Sequence, residues 1–200
     1  NYPKSIPKVK NIKNNEFKIC YTGALTHDRG ITNLIDACYL AGCNLILAGN
    51  FSSVEYHNEL KKKDSYKCVD YRGFCTREEV YSIYSESTVG ASILLDVGQY
   101  YKMNNFATKV FEYFQMRMPV LICDYPYGVQ MNEKYNFGIT VPSDNVEVIA
   151  EAIMTMRDNP ELCKEMGNNG FKLYEEQFSW EKEEKKLYNL YETLALNKLV

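Results

Sequence analysis

The chain has 200 residues, of which 46% are hydrophobic, so it can bury one sizeable core and a single domain is the default expectation. Its formal net charge of −3 argues against a nucleic-acid-binding surface, and Lys61 to Lys63 is a short basic run typical of a solvated helix end. Apolar runs stay well below the ~18 residues that span a bilayer, and no signal peptide is visible, so we expect a soluble, cytoplasmic protein.

Seven cysteines, an odd number, lie scattered in apolar segments such as FKICY and PVLICD. This placement favours reduced, buried thiols over a disulfide framework. No two cysteines have the C-x-x-C spacing, and only His27 and His57 could add imidazole ligands. We therefore expect no metal site.

The first sixteen residues, NYPKSIPKVKNIKNNE, form a polar stretch with two prolines. This composition is typical of a linker between domains. We predict an interdomain linker at 1–16, an α/β domain at 17–178 and a carboxyl-terminal helix within 179–200.

From Phe17 onward, short β-rich runs alternate with amphipathic helical windows. This alternation predicts right-handed βαβ units, and therefore a doubly wound, parallel, six-stranded sheet of order 3-2-1-4-5-6 with helices on both faces. Strands are predicted at 17–22, 44–48, 67–71, 89–95, 119–123 and 138–141, and helices at 31–41, 54–63, 77–85, 108–116, 146–157 and 160–177.

A sheet of this order has its topological switch between the first and fourth strands, and ligands bind there, beyond the carboxyl ends of the strands. Two loops flank this point, at 23–29 after the first strand and at 96–105 after the fourth. The helix at 108–116 follows the second loop, so its amino end should offer free amides to an anion. The topology therefore predicts an anion-binding crevice between the two loops.

The helix at 108–116 carries Lys109 and Glu112, which are neighbours on one side because they lie three residues apart. Apolar residues occupy the other side, so the pattern predicts that the charged pair faces away from the core. A cation beside an acceptor could hold the phosphate and ribose hydroxyls of a nucleotide, although the spacing alone also fits an exposed ion pair. The apolar residues are Val110, Phe111, Phe114 and Met118.

The segment NNFATKVFEYFQMRMPVLICD, at 104–124, resembles the donor-site signature of GT-B glycosyltransferases of the group 1 class, also called family 4. The likeness continues in family order through TGALTHDRG, YRGFCTREEVYSIYSES and FSWEKEEKKLYNLYETL, and so covers most of the chain. The resemblance implies a Rossmann-like, carboxyl-terminal donor domain that binds a nucleotide-diphosphate sugar, without a metal or other cofactor. The residues that match the signature are Lys109, Phe111, Glu112, Tyr113, Pro119, Val120 and Leu121.

Roles at the diphosphate and ribose follow from this resemblance. Arg29 and Lys109 would stabilise the charge that builds on the leaving group, and Glu112 would accept from the ribose hydroxyls. Gly23 would permit close approach of the backbone to phosphate. The structural alternatives are ion pairs, including one between Lys109 and Glu112, and an ordinary turn glycine. Replacing Glu112 with alanine should weaken nucleotide binding with little change in stability.

Two further groups of residues complete the expected site. Residues after the third strand would hold the base, largely through backbone groups: Arg72, Gly73 and Phe74. Residues before the Lys109 helix would lie near the hexose or serve as helix caps: Asn104, Asn105 and Phe106. His27, beside Asp28, is interpreted as a polar surface residue.

The sequence departs from the family pattern at two positions. Asn104 stands where many members carry the first of two glutamates, so a carboxylate role is lost there while hydrogen bonding remains available. Ala24 stands where many members have arginine, which leaves Arg29 as the only cation of the first loop.

The resemblance implies the donor-binding half of a retaining hexosyltransferase. We place it in bacterial surface polysaccharide or capsule biosynthesis, from its Lys-, Asn- and Tyr-rich composition and from where such variants commonly occur. The glycan or lipid-linked acceptor would be bound by an amino-terminal domain absent here, so this chain alone should transfer no sugar. The full-length protein could lie at the inner face of the membrane. Alternatives are a GT-B-like sugar-nucleotide 2-epimerase and a noncatalytic nucleotide-binding or interaction module.

An apolar stripe recurs at helical spacing near the end of the chain, after Trp180 and a charged run. In the family this region crosses back over the amino-terminal domain, whereas the alternative is a helix packed on its own sheet. The stripe consists of Leu187, Leu190, Tyr191 and Leu194.

Overall fold

The computed structural model describes Ile6 and residues 16–197, with side chains described as far as residue 194. Six strands form one sheet: β1 Lys18–Thr22, β2 Asn44–Ala48, β3 Val69–Gly73, β4 Val89–Ser92, β5 Val120–Cys123 and β6 Gly138–Val141. The α-helices are α1 Ile31–Leu40, α2 Val54–Lys61, α3 Arg77–Glu86, α4 Thr108–Gln115, α5 Pro126–Tyr135, α6 Val146–Asp158, α7 Pro160–Leu173 and α8 Trp180–Asn197. A π-helical segment, Tyr174–Phe178, follows α7.

The sheet has the order β3-β2-β1-β4-β5-β6, and every neighbouring pair of strands is parallel. On β1, Ile19 lies between Leu45 of β2 and Val89 of β4. The predicted fold class, the strand order and the switch between the first and fourth strands are therefore confirmed.

Both faces of the sheet are covered, which explains why β4 and β5 are buried along their whole length, whereas the edge strand β3 carries the exposed residues Asp70 and Arg72. Successive side chains of a strand point to opposite faces. On β1, Ile19 and Tyr21 join the core formed with α1 and α6, whereas Cys20 joins the core formed with α3, α4 and α7. Each face thus contributes its own buried layer, as a doubly wound sheet requires.

The predicted elements differ most from the structure in three places, whereas shifts of one or two residues occur at other ends, as in β3. Helix α5 was not predicted, because its sequence, PYGVQMNEKY, contains proline and glycine and has no clear apolar stripe. Strand β4 ends at Ser92 rather than at residue 95, because the chain turns there and the Leu95 amide donates to the Asp28 carbonyl at 3.0 Å. Helix α7 ends at Leu173, where the π-helical segment begins.

Two expectations about exposure can be compared with the structure. All seven cysteines are free and five of them are buried, as the sequence predicted. The apolar stripe of α8 is not packed on the sheet, because its side chains are between 43% and 63% exposed.

Most of the predicted linker at 1–16 lies outside the described residues. Within the described part of the chain, no helix is long and apolar enough to cross a membrane.

The loops after β1 and β2 approach each other closely at Gly49, which has φ 137°. A Cβ atom there would lie 1.8 Å from the carbonyl oxygen of Gly23. We expect Gly49→Ala to lower the free energy of unfolding by roughly 2–4 kcal/mol, from backbone strain and displacement of the Gly23 loop. Gly42→Ala is the matched control, because Gly42 has φ 65° but no atom within 4 Å of such a Cβ. Equal denaturant midpoints for the two variants would contradict this packing account.

Candidate functional site

A cavity of about 930 Å³ opens at the switch point, beyond the carboxyl ends of the strands. We call it the switch-point cavity. Its volume lies within the range of ~300–1,000 Å³ typical of small-molecule sites. The loops after β1, β2 and β3 and the amino end of α4 form its walls. Three cations and one carboxylate line it: Arg29, Arg77, Lys109 and Glu112.

The ammonium group of Lys109 is buried in the cavity wall and has no hydrogen-bond partner among the described residues. It lies 3.4 Å from the centre of the Tyr21 ring, a cation–π contact. Burial lowers the pKa of Lys109 well below its usual value, and the charge of Arg29 lowers it further, whereas Glu112 opposes the shift. A buried cation without a hydrogen-bond acceptor is unfavourable. An anion bound here would provide Lys109 with both an acceptor and a negative charge.

Glu112 is also buried, with 3% of its surface exposed, but both of its oxygens have partners. Arg77 Nη2 donates to Oε1 at 2.7 Å, and the Tyr84 hydroxyl donates to Oε2 at 2.6 Å. The Tyr84 oxygen also lies 2.7 Å from Thr22 Oγ1, so the network joins β1, α3 and α4. Burial raises the pKa of Tyr84 well above its usual value, and the charge of Glu112 adds to this, so the hydroxyl remains a donor.

The prediction that Lys109 and Glu112 face away from the core is wrong. Both side chains are buried, although both also line the cavity. Helix α4 has more than one buried side: it packs against β4, α7 and the π-helical segment, while Glu112 reaches Tyr84 on α3. The ion-pair partner of Glu112 is Arg77, not Lys109.

Three other predicted site residues lie at the cavity: Gly23, Arg29 and Phe74. Gly23 has φ 131°, and a Cβ atom there would lie 3.2 Å from Lys109 Nζ. Phe74 is 77% exposed. These residues therefore surround the same space as Lys109 and Glu112.

Arg72 and Gly73 lie outside the lining of the cavity. Arg72 donates to both oxygens of Asp70, at 2.7 and 2.6 Å, and lies 3.5 Å from Glu86. Gly73 has φ 67°, and its carbonyl accepts from the Gly49 amide at 2.7 Å. Arg72 thus has local ion-pair partners and Gly73 shapes the turn.

The three residues expected near the hexose are also outside the cavity lining. Phe106 is 6% exposed and lies in an aromatic cluster, with its ring centre 5.1–5.8 Å from those of five neighbours. Asn105 accepts from the amide of Phe106 at 2.9 Å, and Asn104 is exposed. None of them caps α4, because the N-cap residue is Ala107.

Much of the cavity lining comes from elements other than the two loops that the strand order identifies, namely from the loops after β2 and β3 and from α3. Gly49 and Asn50 follow β2 at the same edge of the sheet. Arg77 and Tyr84, the partners of Glu112, lie seven residues apart and therefore on one face of α3. The spacing of Arg77 and Tyr84 is visible in the sequence, although it does not identify the helix that this face contacts. Further lining comes from Leu94, Tyr100 and Met103.

Within the described residues, no group of three or more His, Cys, Asp or Glu side chains could hold a metal ion.

Several solved structures share this fold at low sequence identity. HepE from Anabaena, in complex with UDP and glucose, is 16% identical with a TM-score of 0.73, covering 90% of this chain and 49% of HepE. TarM from S. aureus, as a G117R mutant in complex with UDP, is 18% identical with a TM-score of 0.75, covering 96% and 38%. The carboxyl-terminal domain of LpcC from Francisella tularensis is 15% identical with a TM-score of 0.70, covering 82% and 87%.

These comparisons bear on both length and family. The chain spans about half the length of HepE but most of the LpcC carboxyl-terminal domain. A search of curated proteins finds no match. The model of the family described as glycosyl transferases group 1 matches residues 4–173. Because that match covers most of the sequence, the chain belongs to the group 1 glycosyl transferases.

Proposed function

We propose that this chain is the donor-binding half of a retaining hexosyltransferase and that the switch-point cavity binds a nucleotide-diphosphate sugar. The observation that carries the proposal is the buried ammonium of Lys109, which lines the cavity without a hydrogen-bond partner among the described residues. Its partner would be the diphosphate, because a phosphate oxygen provides both an acceptor and a negative charge.

The charges around the cavity support this assignment. Arg29 lies in the same wall as Lys109, and the two charges repel each other. A diphosphate between them would relieve this repulsion. During transfer, the bond between the sugar and the diphosphate breaks and negative charge grows on the leaving oxygen, where these cations stabilise it. We propose that they perform this role without a metal or other cofactor.

The remaining parts of the donor fit the other walls. Glu112 offers carboxylate oxygens to the ribose hydroxyls, since each oxygen can accept more than one hydrogen bond. Phe74, after β3, offers an exposed aromatic face beside the proposed position of the base. The sugar would then lie towards Tyr100 and Met103, which line the cavity on the side of the loop after β4.

We propose that the acceptor, a glycan or a lipid-linked glycan, is bound by a further, amino-terminal domain. Support comes from HepE and TarM, in which a domain of this fold makes up half of the chain or less. The exposed apolar stripe of α8 would pack against that domain. The whole protein would then act in the cytoplasm, or at the inner face of the membrane, in surface polysaccharide synthesis.

The proposal is tested by thermal unfolding with UDP-, GDP-, ADP- and dTDP-sugars and with the corresponding nucleoside diphosphates. We expect one base series to stabilise the chain, by about 2.7 kcal/mol when the ligand is at 100 times its dissociation constant. The control is the same panel of nucleosides without phosphate, which should stabilise the chain far less. If no nucleotide raises the unfolding temperature, the proposal is refuted.

A second assay uses labelled donor and a pool of acceptor glycans. The chain alone is expected to bind donor without transferring sugar, whereas the chain joined to the proposed acceptor domain should transfer it. Equal turnover by both would show that the donor domain contains a complete catalytic site.

A further inference from the structure

Arg77 blocks the acceptor that the proposed function assigns to the ribose. Its Nη2 atom donates to Glu112 Oε1 at 2.7 Å. The Arg77 side chain is 57% exposed, whereas that of Glu112 is only 4% exposed. Arg77 is therefore the solvent-side partner of a carboxylate that is otherwise enclosed, and both residues line the switch-point cavity.

The other partner of Glu112 is fixed more firmly. Tyr84 is 1% exposed, and its hydroxyl group contacts both Glu112 Oε2 and Thr22 Oγ1. A molecule that enters from the cavity thus meets the guanidinium of Arg77 before it meets Tyr84. Of the two donors to Glu112, Arg77 is the one that a ligand can replace.

We propose that Arg77 holds the position on Glu112 that the ribose diol of the donor takes, and that donor binding displaces it. This inference rests on the proposed function. A buried carboxylate is unfavourable without a charge or hydrogen-bond donor beside it. Arg77 satisfies Glu112 when the cavity is empty, and two hydroxyl groups satisfy it when the cavity is filled.

After displacement, the guanidinium of Arg77 can still contact Tyr81, which lies on the same helix. Tyr81 lies one turn after Arg77 on α3, and its hydroxyl group is 3.3 Å from Nη2. The guanidinium carbon is 5.2 Å from the centre of the Tyr81 ring, within the range of a cation–π contact. Release from Glu112 therefore leaves Arg77 with one partner and with solvent, which limits the penalty of displacement.

A selectivity rule follows from this exchange. A ligand gains from Glu112 only if it brings hydroxyl groups to replace the lost ion pair. A nucleotide without the diol would leave Arg77 in place, or would leave Oε1 of Glu112 without a donor while Tyr84 still donates to Oε2. Loss of the Arg77–Glu112 ion pair is unfavourable, and only a diol offsets it. Arg77 therefore favours the binding of ribonucleotide donors over that of molecules that offer only a diphosphate.

The test compares Arg77→Gln with Arg157→Gln, which removes an arginine that also pairs with an acidic side chain, that of Asp158, but lies outside the cavity. Calorimetry with UDP, GDP, ADP and dTDP first identifies the nucleotide that binds the parent. Titrations then use that nucleotide and its 2′,3′-dideoxy analogue, at high salt so that the long-range attraction of Arg77 for the diphosphate is screened. We expect Arg77→Gln to bind the ribonucleotide roughly 3- to 10-fold more tightly than the parent does, since no ion pair has to break.

The dideoxy analogue should show no such gain, and Arg157→Gln should bind both nucleotides as the parent does. Unchanged or weaker binding of the ribonucleotide by Arg77→Gln would show that Arg77 holds Glu112 in position for the diol, and would overturn the exchange. An equal gain for both nucleotides would also overturn it. If none of UDP, GDP, ADP and dTDP binds the parent, the proposed function fails and this inference fails with it. If dTDP alone binds, the exchange is overturned because dTDP has no 2′-hydroxyl group, whereas the proposed function stands.

A second measurement uses the parent chain itself, so its result does not depend on whether the Arg77→Gln variant folds correctly. The Nε–H resonance of Arg77 in the parent, followed by nuclear magnetic resonance, should shift on adding the ribonucleotide and stay nearly constant with the dideoxy analogue. The same shift with both would contradict displacement by the diol.

Discussion

Lys109→Met is expected to stabilise the fold while it removes most of the affinity for a nucleoside diphosphate. Methionine has a similar length and needs no hydrogen-bond partner, so it fits a site where the ammonium has none among the described residues. We expect the free energy of unfolding to rise by about 1–3 kcal/mol. Loss of the charge-assisted contact should weaken diphosphate binding about 10- to 100-fold. Denaturant titration and calorimetry measure the two effects.

The gain in stability should depend on pH. Below the lowered pKa of Lys109, both the folded and the unfolded chain hold its proton, so the folded parent bears the whole penalty of the buried charge. Between that pKa and the usual value of about 10.4, the unfolded chain binds a proton that the folded chain does not. The stability of the parent therefore rises with pH across this window, and the advantage of Lys109→Met shrinks.

The control is Lys102→Met, which removes an exposed lysine that does not line the cavity. It should change neither the affinity nor the pH dependence. If Lys109→Met destabilised the fold or bound nucleotide as the parent does, Lys109 would be a structural residue rather than the phosphate ligand.

Glu112→Ala is expected to reduce both binding and stability. Removal of the carboxylate should weaken nucleotide binding by about 1–3 kcal/mol, as expected when a charged acceptor is withdrawn from hydroxyl donors. The sequence alone predicted little change in stability, whereas the structure predicts a loss, because Glu112 is 3% exposed and accepts from Tyr84 and Arg77. We expect the free energy of unfolding to fall by about 1–3 kcal/mol, because the buried Tyr84 hydroxyl loses an acceptor.

Glu86→Ala is the matched control for this variant. Glu86 also pairs with an arginine, at 3.5 Å from Arg72, but it lies outside the cavity. It should leave nucleotide affinity unchanged and have a smaller effect on stability. Equal calorimetric affinities for Glu112→Ala and the parent would remove Glu112 from the site.

The architecture was predictable because its signals are local and repeated. Runs such as those of β2 and β6 alternate with amphipathic helices, and chain connectivity then limits the sheet to few arrangements. The switch point follows from strand order alone, and so does the crevice beside Gly23 and α4. Helix α5 was not predicted because its sequence has no clear apolar stripe. Its contacts with β6 and α7 become visible only in the structure.

The side-chain environment could not be predicted in the same way. A helical pattern predicts one buried side, whereas α4 is enclosed on several sides, so Lys109 and Glu112 are buried too. The partner of Glu112 is 35 positions away in sequence, and no local spacing identifies such a contact. Phe106 looked available for a ligand, but five aromatic rings surround it, and three of them come from distant parts of the chain: Tyr127, Phe137 and Phe178.

The most direct test of the account is a crystal structure of the chain with the nucleoside diphosphate that stabilises it. We predict that the diphosphate oxygens lie within hydrogen-bonding distance of Lys109 and Arg29 and that the ribose hydroxyls contact Glu112, with the base towards Phe74. A nucleotide bound outside the switch-point cavity, or one whose diphosphate lies away from Lys109, would contradict the assignment of this cavity as the donor site.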